Sequence, residues 1–158
     1  LVKQGFKNVA VTRTFSKFYA LAGYRVGYML ADPDVVLEVE KFMSIDNTNV
    51  AGAVAATASL QDQTFAQLSL QSNATSHQIV QNALNELGLK FVPSNGNFVF
   101  HEIKGDIKTY QERMKANGIL VGREFLPIQS WSRLTLGTPE EMQSFVNVLK
   151  EFRKKGWV

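Results

Sequence analysis

The pattern of apolar and polar residues divides the first half of the chain into short strands followed by helices. β-rich runs bounded by polar residues predict strands, and apolar residues at helical spacing predict helices. Asp32 precedes Pro33, a pair that suits the cap and the first position of a helix, and Asp62 interrupts the helical pattern farther on. The elements predicted here are strands over 9–14 and 25–31 and helices over 33–43, 50–60 and 63–87.

The second half of the chain changes to a compact alternation of strands and helices. Gly88 suits the end of the long helix, because glycine adopts the left-handed conformation of a C-terminal cap. The clearest helix start is Thr138-Pro139-Glu140-Glu141, a capping box with proline at the first helical position. These elements predict a β-β-α-β-β-α unit, with strands over 89–92, 97–102, 119–121 and 133–136 and helices that begin after Asp106 and Thr138.

The change of pattern predicts a domain boundary inside the long helix, near residues 60–75. Residues 1–60 resemble the tail, that is, the C-terminal part, of a larger α/β domain. Residues 61–158 resemble a long linking helix that is followed by a small α+β domain. The first residue is Leu1 rather than Met, so we expect the chain to be the C-terminal fragment of a longer protein.

Composition narrows the possible function classes. The 158 residues carry a net charge of +3 that is scattered along the chain, whereas a nucleic-acid-binding protein needs a basic stripe. The absence of cysteine excludes disulfides and Cys-ligated zinc and fits a reducing compartment, and the lone His77 and His101 favour structural roles. No apolar run approaches the ~20 residues needed to cross a bilayer. We therefore expect a cytoplasmic protein without a metal, nucleic-acid or membrane partner.

The stretch that carries the chemistry lies between the first two predicted strands. Thr14 ends the first predicted strand, Ser16 and Lys17 follow it, and Arg25 comes eight residues after the lysine. Hydroxyl donors and a guanidinium suit a phosphate group, because arginine offers a planar fork of donors to its oxygens. A lysine beside other cations can act as a nucleophile toward carbonyls. The spacing alone is equally compatible with a structural interpretation, in which Lys17 is a surface lysine and Thr14 and Ser16 are ordinary turn residues.

The run TRTFSKFYALAGYRVGYMLADP, which begins at Thr12, resembles the lysine segment of fold-type I pyridoxal-phosphate-dependent aminotransferases, in particular the histidinol-phosphate aminotransferase group. The resemblance implies pyridoxal 5′-phosphate as the cofactor and Lys17 as the catalytic residue that forms the Schiff base. It also implies that Thr14, Ser16 and Arg25 bind the cofactor phosphate. The implied fold is α/β: the C-terminal part of the large transferase domain plus a complete small α+β domain.

Further segments resemble the same family. Residues 94–98 resemble its small-domain Ser-x-x-Asn-Phe strand, which makes Asn97 a candidate substrate contact. Arg133 lies in a segment similar to the family's Arg-(Ile/Val)-(Ser/Thr)-(Ile/Val)-Gly-Thr motif, whose arginine grips the substrate α-carboxylate. Arg123 follows a segment similar to the family's Gly-Ile-x-Val-Arg, but Gly122 shifts the arginine by one position, so its role in substrate binding stays open.

The implied activity is amino transfer between an amino acid or an amino-alcohol phosphate and a 2-oxo acid, in amino-acid biosynthesis and by a homodimer. A decarboxylase of a phosphorylated amino acid shares the lysine segment and the Arg133 motif, so it stays open. A non-catalytic fragment that serves in folding or dimerisation is the third alternative. In the family, the acidic partner of the cofactor ring nitrogen precedes the lysine. No acid precedes Lys17, so we expect the isolated fragment to be inactive.

Overall fold

The computed structural model describes residues 1–44 and 47–158, which divide into unit 1 (Leu1–Ser69) and unit 2 (Leu70–Val158). The elements of unit 1 are strands β1 (Val11–Thr14) and β2 (Gly27–Leu30), helices α1 (Pro33–Glu40) and α2 (Val50–Gln61), and the first part of α3 (Gln63–Glu86). The two strands form an antiparallel hairpin in which Thr14 lies opposite Gly27. Within the described ranges, no helix is both long and apolar enough to span a membrane.

Local capping interactions explain where the helices of unit 1 begin. Asp32 caps α1, because its Oδ1 accepts a hydrogen bond from the Asp34 N–H at 3.1 Å, and Pro33 occupies the first turn. Asp62 ends α2 and also accepts from the Phe65 N–H at 2.9 Å, which starts α3. The predicted helix starts are therefore confirmed, although α1 ends at Glu40 rather than near residue 43.

Unit 2 is a three-stranded antiparallel sheet packed on three helices. After α3 its elements are β3 (Phe91–Val92), β4 (Phe98–Glu102), α4 (Ile107–Ala116), β5 (Trp131–Thr135) and α5 (Pro139–Lys154). The strand order is β3-β4-β5, and Phe100 lies opposite Arg133. Val99 and Leu134, on the inner face of the sheet, are buried in one core with apolar residues of all three helices. The predicted mixture of helices and strands is thus confirmed.

The predicted strand over 119–121 is wrong. Gly118 has a φ of 77°, and the Ile119 N–H donates to the last turn of α4, so this segment first completes the C-terminal cap of that helix. The Gly122 N–H then donates to the Arg133 carbonyl at 3.1 Å. A single hydrogen bond of this kind does not form a β-ladder, so the described sheet of unit 2 has three strands. The order of elements after α3 is therefore β-β-α-β-α.

His101 is buried in the core of unit 2. It lies on the inner face of β4 opposite Ser132, and the rings of Tyr110 and Phe145 have centroids 6.3 and 6.0 Å from its own. Burial lowers the pKa of His101 to about 4, because the interior disfavours the charged imidazolium; its hydrogen bond to the Glu102 carbonyl offsets this only in part. The folded domain therefore holds His101 neutral.

We expect the free energy of unfolding to fall as the pH is lowered from neutral. The pKa of His101 is about 4 when folded and 6.5 in its ordinary state, so the unfolded chain takes up the proton first. This stabilisation, about 3 kcal/mol in total, is complete above about pH 6.5 and is lost as the pH falls toward 4. Urea titrations at pH 7 and pH 4.5 measure it. A His101→Gln variant should lose about 2.5 kcal/mol less between pH 7 and pH 4.5, because this window covers most but not all of the titration. Equal losses would contradict the assignment.

Candidate active site

A loop closed by the β1–β2 hairpin carries Lys17 in unit 1. Beyond the last strand pair, the Phe15 N–H donates to the Val26 carbonyl at 3.1 Å, which extends the pairing by one residue. Phe15 is buried, its ring centroid lies 5.1 Å from that of Tyr19, and its carbonyl accepts from the Leu21 N–H at 3.0 Å. The buried aromatic therefore holds both ends of the loop, and this fixes the path of the chain on either side of the lysine.

Two hydroxyls lie together directly before the lysine. The Thr14 hydroxyl donates to Ser16 Oγ at 2.8 Å, and the Ser16 N–H donates to Thr14 Oγ1 at 3.1 Å. Thr14 is exposed and Ser16 half-buried, so both oxygens remain near solvent. The exposed Lys17 follows at once, and its carbonyl accepts from the Ala20 N–H at 2.9 Å. The structure thus brings three of the predicted cofactor contacts into one turn.

Arg25 stands at the closing end of the same loop. Its φ is 55°, in the left-handed region that non-glycine residues seldom adopt, and its Nη1 donates to the Ala22 carbonyl at 2.8 Å. Arg25 directly precedes Val26, the partner of Phe15, so the backbone pairing returns it to the end of the loop where Ser16 lies. Within residues 1–44 and 47–158, neither Arg25 nor Lys17 forms an ion pair. Both charges are therefore available to an anionic ligand.

The N-terminus of α2 supports this end of the loop. Asn49 accepts from the Gly52 N–H at 2.6 Å and donates from Nδ2 to the Tyr24 carbonyl at 2.7 Å. A Cβ on the buried Gly52 would lie 2.5 Å from Val26 Cγ2 and 3.0 Å from the Tyr24 carbonyl oxygen. The cap is a local feature, but the bond to Tyr24 joins residues 25 positions apart, and no local pattern signals it.

We expect Gly52→Ala to lower the free energy of unfolding by about 1–3 kcal/mol, because the added methyl overpacks the contact between α2 and the loop. The alanine's advantage in helix propensity, about 1 kcal/mol, is outweighed by this clash. Gly23→Ala is the matched control, since nothing lies within 4 Å of a Cβ built there. Denaturant titrations of the two variants check the prediction, and a Gly52→Ala variant as stable as the control would contradict it.

Unit 2 contains a second candidate group on the outer face of its sheet. Phe98 and Phe100 of β4 and Arg133 of β5 alternate with the buried Val99 and Leu134, so they project from the face opposite the core. The Arg133 guanidinium carbon lies 4.6 Å from the centroid of the Phe98 ring. Among the described residues, no carboxylate forms an ion pair with Arg133. The guanidinium is thus held on an aromatic ring with its charge uncompensated.

A groove of about 630 Å³ runs along this outer face. Nine residues line it: Arg133 is the charged one, Ser94 has a hydroxyl, and the other seven are apolar. The Ser94 hydroxyl accepts a hydrogen bond from the Gly96 N–H at 3.1 Å. The groove is therefore an apolar trough that contains one cation.

Gly122 explains the displaced position of Arg123. A Cβ at this glycine would collide with the Arg133 carbonyl oxygen, so only glycine lets the chain pass this close to β5. Arg123 follows one residue later, and its guanidinium carbon lies 5.0 Å from the centroid of the Phe125 ring. The glycine that departs from the family motif is therefore required by the backbone contact with β5.

The structure places Asn97 directly before β4, at the end of the sheet. Its carbonyl accepts from the Leu136 N–H at 2.9 Å. Gly96, the residue before Asn97, is also held in place, because His77 Nε2 of α3 donates a hydrogen bond to the Gly96 carbonyl at 2.6 Å. His77 thus has a structural role, and it fixes the turn that positions Asn97.

Comparison with known proteins agrees with the motifs of both units. Residues 1–149 match the family model "Aminotransferase class I and II". A histidinol-phosphate aminotransferase from Moorella thermoacetica is 32% identical over 151 residues, which are 95% of this chain and 39% of the relative. The chain spans about two fifths of the length of the curated relatives it matches.

Solved structures show the same relationship. A protein from Erwinia carotovora atroseptica, provisionally named histidinol-phosphate aminotransferase, superposes with a TM-score of 0.93 at 43% identity, over 99% of this chain and 45% of its own. The histidinol-phosphate aminotransferase of Sinorhizobium meliloti, solved in complex with pyridoxal-5′-phosphate, gives a TM-score of 0.79 at 29% identity, over 94% and 42%. Since the family model covers nearly the whole chain, the protein belongs to the class I and II aminotransferases.

Proposed function

We propose that this protein is a pyridoxal-phosphate-dependent aminotransferase that moves an amino group between an amino acid or an amino-alcohol phosphate and a 2-oxo acid. The observation that carries the proposal is the closed loop of unit 1, in which two bonded hydroxyls, Lys17 and Arg25 lie on a path held by Phe15. Membership of the family and similarity to histidinol-phosphate aminotransferases support it.

The residues of the loop fit a cofactor that bears a phosphate. Thr14 and Ser16 offer adjacent hydroxyls, and Arg25 offers a guanidinium that no carboxylate of the described residues neutralises. The first 31 residues contain no acid and five basic residues: Lys3, Lys7, Arg13, Lys17 and Arg25. Such a local excess of positive charge attracts a phosphate dianion. We infer that Thr14, Ser16 and Arg25 bind the phosphate and that Lys17 attaches to the cofactor through Nζ.

In the proposed reaction, the cofactor and the side chains of the protein have different roles. When bound, pyridoxal phosphate supplies the electron sink for the charge that develops at the substrate α-carbon. Once the substrate amine has displaced it from the cofactor, Nζ of Lys17 would remove the proton from this carbon and would deliver it to the cofactor carbon to which the lysine had been attached. Arg133 binds the α-carboxylate through its fork of N–H donors, with Asn97 and Arg123 as further candidate substrate contacts.

Product analysis on the full-length protein tests the proposal. With a panel of amino acids and a 2-oxo acid acceptor, we expect a new 2-oxo acid and a new amino acid in equal amounts. Release of carbon dioxide in place of the 2-oxo acid would identify a decarboxylase instead. A Lys17→Ala variant serves as the control and should form neither product. Failure of the wild-type holoprotein to transfer an amino group from any donor would refute the proposal.

We also propose how the chain is organised in the assembled enzyme. Residues 1–60 would form part of the large cofactor-binding domain, residues 61–158 the linking helix and small domain, and the enzyme would be a cytoplasmic homodimer. Unit 1 exposes large apolar side chains, among them Phe42 at 90%, and such surfaces favour packing against further protein. Light scattering after size-exclusion chromatography distinguishes the dimer from a monomer.

A further inference from the structure

Three buried polar side chains in the core of unit 2 lie together without hydrogen-bond partners for one atom each. His101 on β4 and Ser132 on β5 lie opposite each other, and the ring of Tyr110 on α4 meets that of His101 edge-on. His101 and Ser132 are fully buried, and Tyr110 is 3% exposed. Among residues 1–44 and 47–158, no group bonds His101 Nε2 or either hydroxyl. Folded proteins pair the large majority of such buried atoms, so three in one place need a common explanation.

The hydrogen-bonding roles of the three side chains follow from their surroundings. His101 Nδ1 lies 3.0 Å from the Glu102 carbonyl oxygen, which can only accept, so Nδ1 carries the proton of the neutral ring. Burial lowers the pKa of His101 to about 4, and Nε2 is therefore an unprotonated acceptor at neutral pH. Burial also raises the pKa of Tyr110, so its phenol keeps a proton to donate. The three side chains thus provide one acceptor and two hydroxyl donors that do not bond one another.

We propose that one internal water molecule binds between His101, Tyr110 and Ser132 in the core of unit 2. Water can donate a hydrogen bond to His101 Nε2 and accept one from each hydroxyl, which satisfies all three atoms. Buried waters typically make about three hydrogen bonds to protein groups that have no other partner. This site does not depend on the aminotransferase activity, so either can fail without the other.

The surroundings of the three atoms favour a neutral ligand over an ion. The ring centroid of Phe145 lies 6.0 Å from that of His101, and the ring centroid of Phe152 lies 6.2 Å from that of Tyr110. No Asp, Glu, Lys or Arg among the described residues is buried. An ion at this position would therefore lose its hydration without gaining a counter-charge, whereas water carries no net charge into the core.

The proposed water would join three elements of unit 2. His101 belongs to β4, Ser132 to β5 and Tyr110 to α4, so its hydrogen bonds tie the helix to both strands. The His101–Ser132 pair lies next to the pair of Phe100 and Arg133 in the same register. Because a slip of one residue would exchange the two faces of a strand, the water helps to keep Arg133 on the outer face of the sheet.

A high-resolution crystal structure of the full-length holoenzyme tests the site directly. We expect one density peak that lies within about 2.6–3.2 Å of His101 Nε2 and of the Tyr110 and Ser132 hydroxyl oxygens. A direct hydrogen bond between Nε2 and either hydroxyl would overturn the proposal, and so would the absence of a peak in contact with all three atoms. This measurement needs no substitution, so it does not depend on the folding of a variant.

Hydrogen exchange of the full-length protein tests whether the two hydroxyls act through one molecule. Tyr110→Phe and Ser132→Ala should each lower the protection of the β4 and β5 amides about 5- to 30-fold, because each removes one partner of the water. In the double variant we expect a loss smaller than the product of the two single losses, since both hydroxyls bind the same water. Mass spectrometry of peptides from both strands measures the exchange.

Ser130→Ala is the matched control for the hydroxyl variants. Ser130 is exposed and directly precedes β5, and its carbonyl, not its side chain, accepts from the Ile103 N–H at 2.9 Å. Amide protection in this variant should stay within about twofold of the wild-type value. A loss in the double variant equal to the product of the single losses, or single losses no larger than that of the control, would overturn the proposal.

Discussion

Lys17→Ala in the full-length enzyme is expected to lower kcat for amino transfer by at least about 1,000-fold, since we propose that Lys17 provides both the covalent attachment of the cofactor and the base for the α-proton. Borohydride reduction of the wild-type holoenzyme should leave the cofactor on the peptide that contains Lys17. Peptide mapping by mass spectrometry identifies the labelled lysine, and stopped-flow absorbance measures the half-reaction.

Lys7→Ala is the matched control for the lysine. Lys7 lies in the same unit, its side chain is 77% exposed, and its Nζ is 4.0 Å from an Asp34 carboxylate oxygen, so its removal should leave kcat within about twofold. A borohydride label on a peptide that contains any other lysine would show that the proposed role of Lys17 is wrong.

Arg133→Ala is expected to raise the KM for the amino acid substrate by about 30- to 1,000-fold while the cofactor stays bound. Loss of a charge-assisted, bidentate contact with a carboxylate costs about 2–4 kcal/mol of binding free energy, which corresponds to the expected rise in KM. Arg133→Lys should recover only part of the affinity, because an ammonium keeps the charge but lacks the planar fork. Initial-rate kinetics give KM, and the visible absorbance of the holoenzyme reports cofactor content.

Arg113→Gln provides the comparison for Arg133. Arg113 also lies over an aromatic ring, with its guanidinium carbon 4.0 Å from the Trp157 centroid, but it is not one of the groove-lining residues. The KM should therefore stay near the wild-type value in this variant. An Arg133→Ala enzyme with an unchanged KM, or one that has lost its cofactor, would contradict the role proposed for Arg133.

Helix starts were predictable because their signals are local. Asp32 with Pro33 and the capping box of Thr138 and Glu141 place donors and acceptors within three residues of one another, and the structure shows each of these bonds. The 119–121 segment was mispredicted because its apolar residues fit a strand, while Gly118 diverts the start of the segment into the cap of α4. Whether an apolar run joins a sheet depends on a distant partner, which a local pattern does not contain.

The sequence by itself determined the family, the order of nearly all elements and the identity of the loop that carries Lys17. These three features follow from contiguous motifs, which can be recognised without knowledge of distant contacts. Tertiary structure decided what those motifs touch. The β4–β5 register sets Phe100 opposite Arg133, and Gly122 lets the chain pass against β5 before Arg123. The groove exists only through these long-range pairings, because its walls come from segments that are far apart along the chain and meet when the sheet forms.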